Sequence, residues 1–326
     1  MKLLKLVPDN TNIDFVRLRG WAFGLTLLLS VLAVGLTFAK GLNFGVDFEG
    51  GLMIEEKFAS PPDLDRVRAV VDAQNLGEAS LQQFGDPRTI TVRLPIQQGA
   101  DEGATNAAVK KVETALGQAF PGATFSRYST VSGKVSGELI RNGVLAVVLS
   151  VLGIGLFAIV RFEWQFGVST IAAIVHDLVM TLGFFALTQF EFDLNIVAAV
   201  LTIIGYSIND KNVIDDRIRE NMRRYRKMDI REIVNLSVNE TLPRTVMTSV
   251  TILLALGALL FLGGHVLRGF TAAMILGIVV GTYSSIYVSS SLLITLGLRA
   301  NPMADLPTRS AIDNAERVGP RTPRAE

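Results

Sequence analysis

The sequence predicts a polytopic α-helical membrane protein with six transmembrane helices and a small α+β ferredoxin-like domain between the first and second. Three observations predict it. Apolar residues make up 49% of the 326, and the mean hydropathy is +0.40. Charged residues are sparse at 19% and nearly balanced at net +1, yet segregated: long stretches carry none and others are dense with them. That segregation is the pattern of a bilayer protein. Finally, one long segment of mixed charge, residues 41–137, interrupts the apolar runs.

The same totals exclude several functions. The near-zero net charge gives no reason to expect nucleic-acid binding. With no cysteine, a thiol nucleophile, an iron–sulfur cluster, a cysteine zinc site and a disulfide staple are all ruled out. The two histidines, His176 and His265, lie far apart, which speaks against a histidine metal site.

Residues 1–17 form a basic N-terminal segment, and 18–40 the first span. Its apolar run, Trp21 to Ala39, is long enough for a hydrocarbon core of ~30 Å. Lys40-Gly41-Leu42-Asn43 follows it without a small-x-small cleavage site, so the sequence reads as a retained span rather than a signal peptide. In the domain at 41–137, a strand is expected over Leu52–Phe58. Pro61-Pro62-Asp63 opens a helix to Asn75 with Leu64, Val67, Val70 and Val71 on one face, closed by Gly77. Strands at Ala79–Phe84 and Thr89–Leu94 flank the turn Gly85-Asp86-Pro87. A helix at Ala104–Ala119 and a strand at Ala123–Thr130 complete the order β-α-β-β-α-β, the ferredoxin-like pattern. The domain has no His and no Cys, which suggests docking rather than catalysis.

The remaining spans are expected at 138–161, 164–188, 193–215, 244–264 and 268–298. The last is longer than one perpendicular crossing needs, which tilt or an interfacial start accommodates. Residues 216–243 read either as an amphipathic interfacial helix or as a solvated loop. The tail, 299–326, reads as disordered. Basic residues concentrate in the N-terminal segment, in 216–243 and in the tail, whereas the loop Gln189–Asp193 is acidic. By the positive-inside rule both termini are cytoplasmic and 41–137 is external; only the loop holding Arg268 is discordant.

Ionisable residues inside spans are costly and by default suggest function. Asp210, beside Asn209 near the end of the fourth span, is either a proton carrier balanced between desolvation and a nearby arginine or an interfacial helix end. Arg244, followed by Thr245 and Thr248, is either its partner across antiparallel helices or a snorkelling residue. His176 and Asp177 interrupt the third span, as part of a proton path or as an interhelical hydrogen bond. Lys211 and Asp215, four apart, can pair along one helix. Gly277, Gly281, Ser284, Ser285 and Ser289 suit close packing in the sixth span and call for no chemistry.

The segment Phe44-Gly45-Val46-Asp47-Phe48-Glu49-Gly50-Gly51 resembles the FGxDFxGG signature of the SecD/SecF family. Arg161-Phe162-Glu163-Trp164, Val175-His176-Asp177, Leu201–Asp210, Asp216–Asn221, Leu242–Thr245 and Gly281–Ile286 follow the family pattern in order. One domain and six spans match the SecF branch. The resemblance implies the resistance–nodulation–division superfamily and a subunit of the bacterial inner membrane, among its lipids, that is not an enzyme and needs no cofactor beyond coupling protons, sodium remaining open. It implies pairing with SecD, which supplies a further essential acid. It also implies association with the SecYEG channel and YajC, and action on unfolded preprotein after SecA, driven by the proton-motive force. It assigns the proton path to Asp210 and Arg244, with Asn209 beside them. Asp47, Gly50 and Gly51 fall at the junction of domain and membrane, where glycine permits unusual backbone geometry. The chain departs from the family's NDTVVV(F/Y)DR at Lys211, Asn212 and Asp215. The departure places a cation and a second carboxylate within a helical turn or so of Asp210. Proton-driven efflux of small molecules or lipids, or a passive translocon scaffold, are the alternatives.

Overall fold

A computed structural model of the chain describes residues 7–8, 11–77, 79–83, 86–95, 102–264 and 267–298. The tail at 299–326, most of the first ten residues, Gly85 of the expected turn and His265 lie outside them. The first helix, α1 (Arg19–Lys40), has the surface of a membrane helix: Trp21, Leu27, Val31 and Phe38 are exposed and only Ala22 and Ala33 are buried.

A short helix, α2 (Val46–Glu49), falls within the FGxDFxGG segment, where the sequence suggested none. It leads into β1 (Gly51–Lys57), α3 (Leu64–Asp72), β2 (Ser80–Gln83), β3 (Thr89–Leu94), α4 (Glu102–Ala119) and β4 (Thr124–Val131). The four strands form one antiparallel sheet in the order β2-β3-β1-β4. Leu52, Ile54, Ile90 and Val92 bury one face of it against Val67 and Val71 of α3 and Val112 and Leu116 of α4. Each such fully buried aliphatic side chain contributes about 1.5–3 kcal/mol. Helix α3 is shorter than the sequence suggested. The Asp63 carboxylate accepts from the Asp65 N–H at 3.0 Å and caps the start; Asn75, at φ 54°, has already left the helix.

The Ser132 hydroxyl caps α5 (Gly133–Arg161), so this helix begins directly after β4. Next come α6 (Trp164–Thr188), α7 (Leu194–Arg224) and α8 (Ile230–Leu262). The last helical stretch, Arg268–Thr295, comprises α9 (Arg268–Tyr283), a π-helical segment (Ser284–Ser289) and α10 (Ser290–Thr295). Five described helices are long and apolar enough to cross a membrane: α1, α5, α6, α8 and Arg268–Thr295. Helix α7 is not among them because its second half carries Asp210, Lys211, Asp215, Asp216 and Arg217. Its neighbours enclose it. Ile196, Ala199 and Ile203 pack with Phe185, Met274 and Ile278; Ile214, Ile218 and Met222 pack with Phe162, Phe166 and Ile233. Close approach requires Gly281 in α9, where a Cβ would meet the Ser207 Cβ at 3.1 Å.

The structure corrects the reading of 216–243 as one interfacial helix or a loop; the helix that holds the span expected at 244–264 begins well before it. Helix α7 continues to Arg224 and α8 starts at Ile230, with Pro243 inside it. The charged residues that resembled a loop are the solvent sides of two packed helices. Ile233, Val234 and Val238 bury their inner sides against α7. Asn235 and Asn239 accept the backbone N–H groups of Phe15 and Ile13, at 2.9 and 2.8 Å, and so hold the N-terminal segment.

Candidate functional site

Helix α7 turns two adjacent polar faces inward, because residues four apart stack on one side of a helix. On the first face, Tyr206 Oη lies 3.0 Å from Ser249 Oγ of α8, which lies 3.0 Å from Thr282 Oγ1 of α9. One turn further along is Asp210, 3% exposed, whose Oδ2 is buried without a hydrogen-bond partner. Arg244 of α8 is exposed, and its charge acts on Asp210. The two form no ion pair among the described residues. Asn209 is exposed. Thr245 is buried, and the Thr248 hydroxyl donates to its carbonyl at 3.0 Å.

The second face carries Ser207, Lys211 and Asp215 against α6 and the π-helical segment, in two layers. In the layer nearer the sheet domain, Asp177 is the hub. Its Oδ1 lies 3.0 Å from His176 Nδ1, and its Oδ2 accepts from Ser207 Oγ at 2.6 Å and Ser284 Oγ at 3.0 Å. In the other layer, Lys211 Nζ donates to Asp215 Oδ2 at 2.5 Å and to Ser169 Oγ at 3.1 Å, and Ser289 Oγ donates to Ser169 Oγ at 3.4 Å. Asp215 Oδ1 has no partner. Every member of both layers is buried. The structure thus brings together His176 with Asp177 and Lys211 with Asp215. It adds Ser169, Ser207, Ser284 and Ser289. The serines of Arg268–Thr295, read from sequence as packing residues only, donate hydrogen bonds into both layers. Their spacing was visible; the π-helical turn that rotates them inward was not.

A second cluster joins the sheet domain to the loop between α6 and α7. Arg93 of β3 lies 3.0 Å from Glu191 and donates to Asn43 Oδ1 at 3.1 Å and to the Phe44 carbonyl at 2.9 Å. Asn43 donates to Gln82 Oε1 at 3.1 Å and to the Gln189 carbonyl at 2.8 Å. Asp47 accepts from the Leu194 N–H at 3.0 Å, so this junction carboxylate caps the start of α7. Burial pushes Glu191 and Asp193 above the usual carboxylate range, and Arg93 opposes this at Glu191. Gly50 (φ 73°) and Gly51 (φ 115°) take left-handed backbone, and a Cβ on Gly51 would meet the Leu94 carbonyl oxygen at 2.5 Å. Among the described residues, no group of three or more His, Asp or Glu side chains could hold a metal ion.

Two family models match: the SecD/SecF GG motif over residues 35–59, and the C-terminal region of protein export membrane protein SecD/SecF over 111–299. The protein translocase subunit SecF of Cereibacter sphaeroides is 43% identical over 309 residues, 93% of this chain and 95% of that one. The SecF subunit of Pseudomonas aeruginosa is 42% identical over 305 residues, 93% of this chain and 97% of that one. Among solved structures, SecDF of Thermus thermophilus, described as a translocon-associated membrane protein, superposes with a TM-score of 0.81 at 38% identity over 89% of this chain. SecDF in a super-membrane-facing form gives 0.66 at 35% identity over 97%. The chain spans 39% and 41% of those two solved chains.

Proposed function

The chain belongs to the SecD/SecF family of protein-export membrane proteins, and from that premise we propose that its buried α7 carboxylate couples proton movement to preprotein export. It is an accessory subunit of the Sec translocase. In our reading α7 is also a span, the fourth of six in chain order, since it is enclosed by helices that suit a membrane. The sheet domain is ferredoxin-like, a reading supported by the order β-α-β-β-α-β and the strand order β2-β3-β1-β4. The protein sits in the bacterial inner membrane with its termini in the cytoplasm and the domain in the periplasm. It pairs with SecD, whose absence leaves the proton path incomplete, and assists SecYEG, with YajC and after SecA, in drawing unfolded preprotein outward.

The observation that carries the reading is Asp210: a buried carboxylate oxygen with no donor, acted on by Arg244, in a helix that a membrane would enclose. A buried carboxylate oxygen without a donor is costly, and uptake of a proton removes the charge that has to be buried. Each gain or loss of the proton alters the attraction of Arg244 and so the fit of α8 against α7. Moving one charge through 100 mV supplies about 2.3 kcal/mol, so export of a long segment needs repeated cycles. Asp177 and its serines hold α6 and the sixth span to the other face of α7, where they transmit the shift.

The test is gradient-dependent completion of preprotein translocation in vesicles holding this chain with its SecD partner, comparing the wild type with Asp210→Asn at equal expression. Loss of the gradient-dependent component is expected. Unchanged completion would reduce the chain to a scaffold.

A further inference from the structure

The end of the bundle remote from the sheet domain carries an open cleft of about 520 Å³ between the last turns of α5 and α7, lined by Arg161, Asp216, Arg219, Glu220, Arg223 and Arg224. Both carboxylates are already engaged. Asp216 pairs with Arg161 at 3.6 Å, and Glu220 pairs at 2.8 Å with Arg217, which lies outside the cleft. Arg219 donates to the Arg161 carbonyl at 3.3 Å, and both guanidinium groups approach the ring of Phe162, at 5.9 and 5.0 Å. Arg224 lies 5.3 Å from the ring of Tyr225. Arg219, Arg223 and Arg224 therefore have no carboxylate partner among the described residues. The other polar cleft at this end differs: there Arg17, Arg19 and Arg231 share the lining with Asp14, Asp229 and Glu232.

What identifies the ligand is the surface that continues from the cleft. Leu149, Leu152, Leu156 and Val160 of α5 are between 59% and 78% exposed. At helical spacing they form an apolar stripe of roughly 16 Å that ends beside Arg161. Trp164, 55% exposed, stands at the same level, the usual depth of interfacial aromatic residues. Unpaired arginines joined to an apolar stripe suit an amphiphile with an anionic head. Guanidinium groups bind phosphate oxygens in pairs, and basic pockets at the ends of membrane helices take acidic headgroups.

We propose that this cleft binds the phosphate headgroup of an anionic phospholipid, with its acyl chains lying along the exposed face of α5. The proposal rests on α5 being a membrane span and is independent of proton coupling.

The full chain, purified in detergent, would be titrated with phosphatidylglycerol or phosphatidylcholine, and the retained lipid read by native mass spectrometry. The wild type should hold phosphatidylglycerol at about tenfold lower concentration than phosphatidylcholine. The triple variant Arg219→Gln/Arg223→Gln/Arg224→Gln should lose that preference. The corresponding triple change to Lys, which keeps charge and stem, should retain most of it and shows that the loss is not misfolding. Arg17→Gln/Arg19→Gln/Arg231→Gln, which removes equal charge from the balanced cleft, should leave it unchanged. Equal retention of the two lipids, or equal loss in both glutamine triples, would overturn the proposal. So would displacement of the lipid by millimolar inorganic phosphate, which would make this a site for free phosphate, or by added SecD, which would make it a protein contact.

Discussion

Lys211 is 2% exposed, and among the described residues its ammonium group rests on Asp215 and Ser169. Removing one partner of a buried pair leaves the other charge without compensation, at about 3–5 kcal/mol, whereas replacing both with apolar groups is often tolerated. Lys211→Met is therefore expected to destabilise the chain by about that amount, and Lys211→Met/Asp215→Leu by much less. Unfolding of the full chain in detergent, arranged as a double-mutant cycle, checks this; a single mutant as stable as the wild type would refute the pairing. Glu56 presents the opposite case. It is 1% exposed, its Oε2 has no partner, and burial followed by repulsion from Glu113 pushes it up from 4.5 to about 7. The folded domain thus prefers the protonated form. That contribution is fully present below pH 4.5 and is lost as pH rises through about 7, roughly 3 kcal/mol in all. Amide exchange of the sheet domain should therefore be slower at pH 5 than at pH 8 after correction for intrinsic rates. Glu56→Gln should remove most of the difference, and an equal difference in the variant would point to another group.

Among the elements, the clasp between β3 and the α6–α7 loop depends most on one side chain. Arg93 reaches Glu191, Asn43 and Phe44 together. Arg93→Ala should leave Glu191 buried without its cation and raise amide exchange across 189–193, with a cost of about 1–3 kcal/mol for the lost charged contacts. Unaltered exchange there would show that the aromatic cluster of Phe44, Phe48 and Phe192 suffices. The clasp was not legible in the sequence, because its members are far apart in the chain and each is ordinary alone. The apolar runs and the alternation in β3 were legible, since hydropathy and period are local properties. Helices α7 and α8 extend beyond their apolar runs into segments that resemble loops. There the buried side is set by each helix's partner, as Ile218 against Ile233 illustrates. The same limit hid the serine donors: Asp177 was conspicuous in an apolar run, but only packing shows that Ser207 and Ser284 face it.

For the whole molecule, the described residues give the sheet domain three attachments to the bundle. Helix α1 enters through residues 41–50, β4 passes into α5 with only Ser132 between them, and the clasp reaches the α6–α7 loop, where Asp47 also caps α7. The first two are covalent. The third consists of an ion pair, hydrogen bonds and ring contacts, and it alone can open without bending a helix. If proton binding on α7 drives the domain, movement must pass through or release this contact, and α1 and α5 carry the domain along. The absence of cysteine makes the consequence testable. With Gln82→Cys and Glu191→Cys joined by a short reducible cross-linker, gradient-dependent translocation should fall to the level without a gradient and recover on reduction. Translocation driven by the motor alone should be unaffected. If the cross-linked protein keeps its gradient-dependent component, the domain moves as one body with α6 and α7, and the displacement that does the work must occur elsewhere, between this chain and its partner.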